Sequence, residues 1–216
     1  MAGHDGSTTL GDGTTVTKDD ARVIAVAHCE DAAASVGVAL SLGGSLPHQA
    51  IHVFGGILND LLDVVADLHT PVRADEADGQ VRIDRAYLDR GQRLVDYYLQ
   101  DLPELPERVI PGGTVAGALI HKAHTAVLLA ERYAWTACHR HGDGMNPLAA
   151  EYLGVLSDLL VALARTANAE HGDMVWHPGL SAAEADTPSE GTADDDGTAD
   201  GEGADTGRAA SQESVG

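Results

Sequence analysis

Apolar residues recur along this chain at helical spacing in five stretches, separated by short runs of turn residues. The first follows Asp19 and Asp20, either of which can cap a helix. It is apolar at Val23, Val26, Ala27, Ala34 and Val38, and Gly43-Gly44 stops it near Leu42. Ser45 and Pro47 restart the chain into a second helix reaching about His69. Its stripe of Ile51, Phe54, Ile57, Leu58, Leu61, Leu62, Val65 and Leu68 follows an i, i+3, i+4, i+7 pattern, and Thr70-Pro71 ends it. A polar connector runs to Gly79, with two extended residues at Val81 and Ile83. Asp84 opens a third helix to about Leu102, which Pro103 and Pro106 terminate. Pro111-Gly112-Gly113-Thr114 leads into a fourth helix, apolar nearly all round, to about His139. Asn146 as cap and Pro147 at the first helical position start a fifth, to about His171. Residues 1–17 are rich in Gly, Asp and Thr without periodicity and read as a loop. No strand-like alternation exceeds a few residues. The expected fold is all-α, a five-helix up-and-down bundle.

Composition trims this domain to residues 1–180. From Ser181 to Gly216 the chain has ten acidic residues against Arg208, and Val215 is its one large aliphatic residue. Such a segment cannot bury enough apolar area to offset its ordering entropy and reads as a disordered acidic tail. The whole chain carries 34 acids against 13 Lys and Arg, a formal charge of −21, with lysine only at Lys18 and Lys122. An acidic, lysine-poor, alanine-rich surface resembles proteins adapted to high salt, where self-repulsion is screened within about 3 Å. It argues against nucleic acid or an anionic membrane as partner. Two cysteines, Cys29 and Cys138, make no disulfide framework. No signal peptide and no apolar run of membrane length is expected, so the expected location is the cytoplasm.

Chemistry is best sought between Pro111 and Asn168. Two long apolar helices there carry His121, His124, Glu131, Arg132, Asn146, Asp158, Arg165 and Asn168. A buried ionisable group costs several kcal/mol unless it is paired or functional. Asp158 and Arg165 read as interhelical pairs. Eleven histidines include His48 with His52 and His139 with His141 beside Cys138. None forms HExxH or a Cys/His set with zinc spacing, so no dedicated metal site is expected.

Five ordered blocks then carry a resemblance. Gly3, Gly6 and Thr8 sit like a TGDxGxT loop, and Lys18-Asp19-Asp20 with Arg22-Val23 like KDDxRV. Asn59 to Pro71 resembles NDLFDLGAxLATP. Pro111 to Thr114, with Leu119, His121, Ala123, Thr125 and Ala130-Glu131-Arg132, resembles LPGGS…LHxARTxxRRAER. Asn146-Pro147, Tyr152-Leu153, Leu156 to Leu160 and Ala164-Arg165 resembles NP…YLNRLSDLLFxLAR. Over about residues 3 to 179 the chain is similar to the propanediol-utilisation-type ATP:cob(I)alamin adenosyltransferases. The resemblance implies a trimerising bundle with its site between subunits, and Mg²⁺, ATP and cobalamin or a related corrinoid as cofactor and substrates. Cofactor-binding roles would fall to Gly3, Gly6, Thr8, Lys18 and Asn146, and catalytic ones to Glu30, His124, Glu131 and Arg132. Reduced cobalt would attack the ribose 5′-carbon and expel triphosphate, so the protein must orient the pair and stabilise the leaving anion.

The chain departs from that pattern where charge is expected. The two arginines before AER are Leu128 and Leu129, the arginine of ART is His124, and the asparagine and arginine of YLNRLSD are Gly154 and Val155. The first helix carries Glu30-Asp31 in swapped order, followed by Ala33. The aromatic ahead of the LPGG turn aligns with Arg108. His124 with Glu30 can replace an Arg–Asp bridge, or His124 can simply pack. Asn146 is a helix cap that can also face a ligand. Two functions therefore stay open: an adenosyltransferase with altered phosphate contacts, or a non-catalytic corrinoid- or nucleotide-binding paralogue that assembles with an intact enzyme.

Overall fold

A computed structural model describes residues 4–43, 48–74, 79–104 and 108–181; for His48 and Gln49 it describes the backbone alone. The expected acidic tail, from residue 182, and Gly3 lie outside the described residues. Residues up to His177 form one compact unit, and a second begins at Pro178.

Five helices make up the first unit: α1 Ala21–Leu42, α2 His48–His69, α3 Arg85–Leu99, α4 Val115–His141 and α5 Pro147–Asn168. Their start signals act as the sequence suggests. Asp20 accepts from the Arg22 amide, Asp84 from those of Ala86 and Tyr87, Thr114 from Gly117, and Asn146 from Leu148. The helix α4 packs between α1 and α5, α1 packs on α2, and α3 lies on α5, with a lighter α2–α5 contact closing the bundle.

The α1–α4 seam is built of small residues. Ala21, Ala25, Cys29, Ala32, Val36 and Ala39 face Ala123, Val127, Ala130, Ala134 and Ala137, all buried. This corrects the stripe read from the sequence: Ala27 and Ala34 are exposed and Val38 is 46% exposed. Because α1 is apolar on every side, periodicity cannot select its face, whereas side-chain size can, since small residues let two backbones approach. Burial pushes the Cys29 thiol up to about 12, which keeps it an inert packing residue.

Two more expectations change. Residues 7–17 form an antiparallel hairpin, β1 Ser7–Thr9 with β2 Thr15–Thr17, in the register Ser7↔Thr17, Thr8↔Val16 and Thr9↔Thr15. Three-residue strands are too short to show alternation. What fixes them is the Leu10–Thr14 turn, with Gly13 at φ +83°, and the burial of Leu10. Two helices, α1 and α5, are also long and apolar enough to cross a membrane by length and composition. Most of α5 is buried against its neighbours, so its apolar length serves the bundle core.

Candidate active site

Polar side chains in this bundle divide into those the fold uses up and those it leaves open. The first kind begins on α2, whose Asp60, Asp63 and Asp67 share one face. The Asp67 side chain is fully buried. It accepts from Arg82 at 2.7 Å, from the Ile83 amide at 2.8 Å and from Asn146 Nδ2 at 2.6 Å. Asn146 also donates to the Ile83 carbonyl at 2.8 Å, while its own carbonyl caps α5. One asparagine thus ties the start of α5 to the end of α2 and the approach to α3. Asp60 binds Arg90 at 2.6 Å and accepts from the Tyr152 hydroxyl, and Tyr87 donates to Asp63 at 3.0 Å. Burial and the adjacent Asp60 push the Tyr152 phenol up, so it stays a donor. The run from Asn59 to Pro71 is therefore scaffold.

The turn before α4 is closed in the same way. Asn168, 1% exposed, accepts through Oδ1 from the Thr114 amide and hydroxyl, and donates through Nδ2 to the Gly112 carbonyl. Gly113, at φ +92°, and Gly117 make room for it: a Cβ would stand 2.5 Å and 2.2 Å respectively from Asn168 Oδ1. Beyond it Arg165 pairs with Asp173 at 2.9 Å and donates to the Pro103 carbonyl. The interhelical pairs expected for Arg165 and Asp158 are thus corrected: Arg165 takes its acid from the chain that folds back after α5, and Asp158 is exposed on α5.

The second kind lies on α4. His124, Leu128, Glu131 and Trp135 form the flank that meets α5. His124 Nδ1 lies 3.1 Å from both the carbonyl and the hydroxyl of Ser157. This corrects the expected bridge to Glu30: His124 turns to α5, and Glu30 stands exposed on α1. An imidazole is shorter than a guanidinium and is satisfied by the nearer α5 groups. His121 is 5% exposed, its Nε2 has no partner among the described residues, and burial pushes its pKa below the usual histidine value. Its neighbours disfavour the charged form, so it reads as a neutral core group.

The outer face of α4 carries Lys122, Arg132 and Arg140, all exposed. Among the described residues none of the three has a carboxylate partner, whereas Arg22, Arg82, Arg85, Arg90 and Arg165 each do. In a chain of 34 acids these three cations stay uncommitted, but at about 1.5 Å per residue they are spread over about 27 Å of α4, so they are separate anion contacts and not one cluster. The hairpin stands by the far end of this helix: Asp20 lies 3.3 Å from His141, and nearer the middle His28 of α1 stacks on Tyr133 at 4.1 Å. It brings three predicted residues together, since the Lys18 amide donates to the Gly6 carbonyl and Thr8 lies in the paired strand. Among the described residues no group of three His, Cys, Asp or Glu gathers as a metal cluster.

The cobalamin adenosyltransferase family model matches residues 1–167, and the chain belongs to that family. A corrinoid adenosyltransferase of Mycobacterium bovis is 45% identical over 177 residues, covering 82% of this chain and 91% of the relative. That of Mycobacterium leprae is 41% identical over 181 residues, covering 82% and 93%. A PduO-type ATP:corrinoid adenosyltransferase from Lactobacillus reuteri, solved as a phenylalanine-to-alanine variant complexed with cobalamin and ATP, superposes with a TM-score of 0.73. It is 26% identical and covers 80% of this chain and 94% of its own.

Proposed function

We propose that this chain is an active ATP:corrinoid adenosyltransferase, moving the 5′-deoxyadenosyl group of ATP to the cobalt of reduced cobalamin or a related corrinoid. The observation that carries the reading is Arg132 of α4, exposed and, among the described residues, without a carboxylate partner, next to Glu131 and on the helix whose end meets the hairpin of Gly6, Thr8 and Lys18. A triphosphate leaving group needs several charge-assisted contacts, each worth about 1.5–3 kcal/mol. Arg132 can supply one of them beside Glu131, where Leu128, Leu129 and His124 do not; Lys122 and Arg140 lie about 15 and 12 Å from it along the helix. In the reaction a cobalt–carbon bond forms as the ribose carbon–oxygen bond breaks, and triphosphate departs with the electron pair. The protein binds, aims the two substrates and stabilises the leaving anion. Mg²⁺ enters with ATP, held by phosphates and by one or two carboxylates, a role that fits Glu131.

The α4 face is open in a single chain, so a neighbouring copy would complete the site. Large apolar side chains stand in solvent on α1 and α2: Leu42 is 63% exposed, Leu62 58%, Val38 46% and Ile51 41%. A homotrimer would cover such surfaces, as would assembly with an intact paralogue. The acidic surface argues against nucleic acid or an anionic membrane as partner, and the reading keeps the chain in the cytoplasm.

The test is anaerobic incubation of the full chain with ATP, Mg²⁺ and chemically reduced cobalamin, at low and high salt, following the absorbance of the reduced cobalamin. Decay that requires both ATP and protein is expected. A flat trace at every salt, with ATP binding intact by calorimetry, would mark the chain as a non-catalytic nucleotide binder.

A further inference from the structure

On the inner flank of α4, Trp135 Nε1 donates to Glu131 Oε1 at 3.2 Å, one helical turn away. The indole itself is braced, stacked on His139 with ring centroids 6.1 Å apart and planes at 27°. Across from the carboxylate lies Gly154 of α5, where an added Cβ would stand 3.5 Å from Oε1. Glu131 therefore rests over bare backbone. Among the described residues the indole N–H is the one side-chain group bonded to it, and Oε2 has no partner. The two ends of the flank are thus fixed by separate devices, His124 by Ser157 and Glu131 by Trp135, with Leu128 between them.

A half-buried carboxylate with one oxygen anchored and the other open is a directional acceptor. Without the anchor its three side-chain torsions let it sweep the space left by Gly154. Resting on the function proposed above, we propose that Trp135 is a positioning residue of the transfer reaction. It holds Glu131 so that Oε2 meets the Mg²⁺-bound nucleotide. Among the described residues no side chain other than the indole supplies this restraint, because α5 places Gly154 opposite.

The test is a double-mutant cycle in the full chain, read by kcat and KM for ATP and by calorimetric ATP binding in the presence of Mg²⁺. Trp135→Phe keeps the ring and removes the N–H; kcat/KM is expected to fall about tenfold, with an unchanged thermal midpoint. On a Glu131→Ala background the same substitution is expected to cost less than about twofold, because Trp135 acts through the carboxylate. Trp135→His restores a ring N–H and is expected to regain about a third of parental kcat/KM or more. A Trp135→Phe chain within about twofold of the parent overturns the proposal, as does a tenfold loss that persists without Glu131. If the parent transfers adenosyl groups and the cycle shows no coupling, this proposal alone falls. A parent that binds ATP without turnover leaves the calorimetric cycle to decide, and one that neither transfers nor binds ATP overturns the function and this proposal together.

Discussion

The polar residues around Asp67 and Asn168 and those along α4 differ in what they have left to offer. Asp67, Asn146 and Asn168 spend their hydrogen-bonding capacity on helix ends and turns. Among the described residues Lys122, Arg132 and Arg140 have no carboxylate partner, and Glu131 keeps an open oxygen. Asp67 and Asn146 of the first set, and Glu131 and Arg132 of the second, fall within the family-like blocks. Membership in a block therefore does not separate scaffold from site; partner accounting does. Removing a closed group should cost stability and leave ligand affinity alone, and removing an open one should do the reverse.

The largest break expected is Asp67→Ala. It takes the carboxylate from Arg82, the acceptor from the Ile83 amide and one of two acceptors from the Asn146 amide, and loss of one partner of such a buried pair costs about 3–5 kcal/mol. Denaturant unfolding should show the midpoint falling by that equivalent, with ATP affinity of the still-folded fraction unchanged. A well-folded Asp67→Ala chain that has lost ATP binding would move Asp67 into the open set.

Next comes Gly117→Ala. Within a helix this exchange ordinarily gains about 1 kcal/mol. Here the new methyl would stand 2.2 Å from Asn168 Oδ1, so a loss of about 1–3 kcal/mol is expected instead. Asn168→Ala costs stability alone but should relieve the clash, making the double variant more stable than the sum of the two losses. Strict additivity in thermal unfolding would show that Asn168 does not lock the PGGT turn.

How far these roles were legible in the sequence follows from the same accounting. The helices and their caps were, because Asp84, Thr114, Asn146 and Pro147 act through local geometry. The hairpin was not, since its three-residue pairing depends on a turn and on one buried leucine. The buried face of α1 was hidden because every side of that helix is apolar. Gly117 and Asn168 lie 51 positions apart, and only the folded chain shows that one glycine is the space for the other's amide. Glu131 and Arg132 stood out as polar positions on an apolar helix and again through a resemblance to an AER block. Trp135 was missed, although its spacing of four from Glu131 was the available signal. His124 was placed correctly on α4 and paired with the wrong helix, because spacing along a helix says nothing of which neighbour a half-buried ring meets.

Arg132→Ala probes the open set. Loss of one charge-assisted phosphate contact should weaken ATP binding about tenfold by calorimetry. The thermal midpoint should stay put, since exposed substitutions away from packing lie within about 0.5 kcal/mol. Equal ATP affinity would remove Arg132 from the anion contacts and leave Lys122 and Arg140 to be tested in its place.

The smallest effect is expected where the hairpin joins α1. Asp20 caps the helix by accepting from the Arg22 amide at 2.9 Å, binds the Arg22 guanidinium at 2.8 and 3.0 Å, and lies 3.3 Å from His141. The bonded guanidinium holds its carboxyl down to about 2, against the usual 3.8. The folded chain thus binds this proton less readily than the unfolded one. The stability it contributes is complete above about pH 4 and is lost as pH falls through about 2. Asp20→Asn keeps a capping oxygen and removes the charge, since asparagine caps as well as aspartate. Stability measured against pH should then decline less steeply between pH 4 and 2 in the variant, with ATP affinity at neutral pH unchanged. An identical acid decline would mean that the Arg22 contact is equally present in the unfolded chain, as a partner two residues away allows. A loss of ATP affinity at neutral pH would instead place Asp20 with the groups that α4 and the hairpin hold open for the nucleotide.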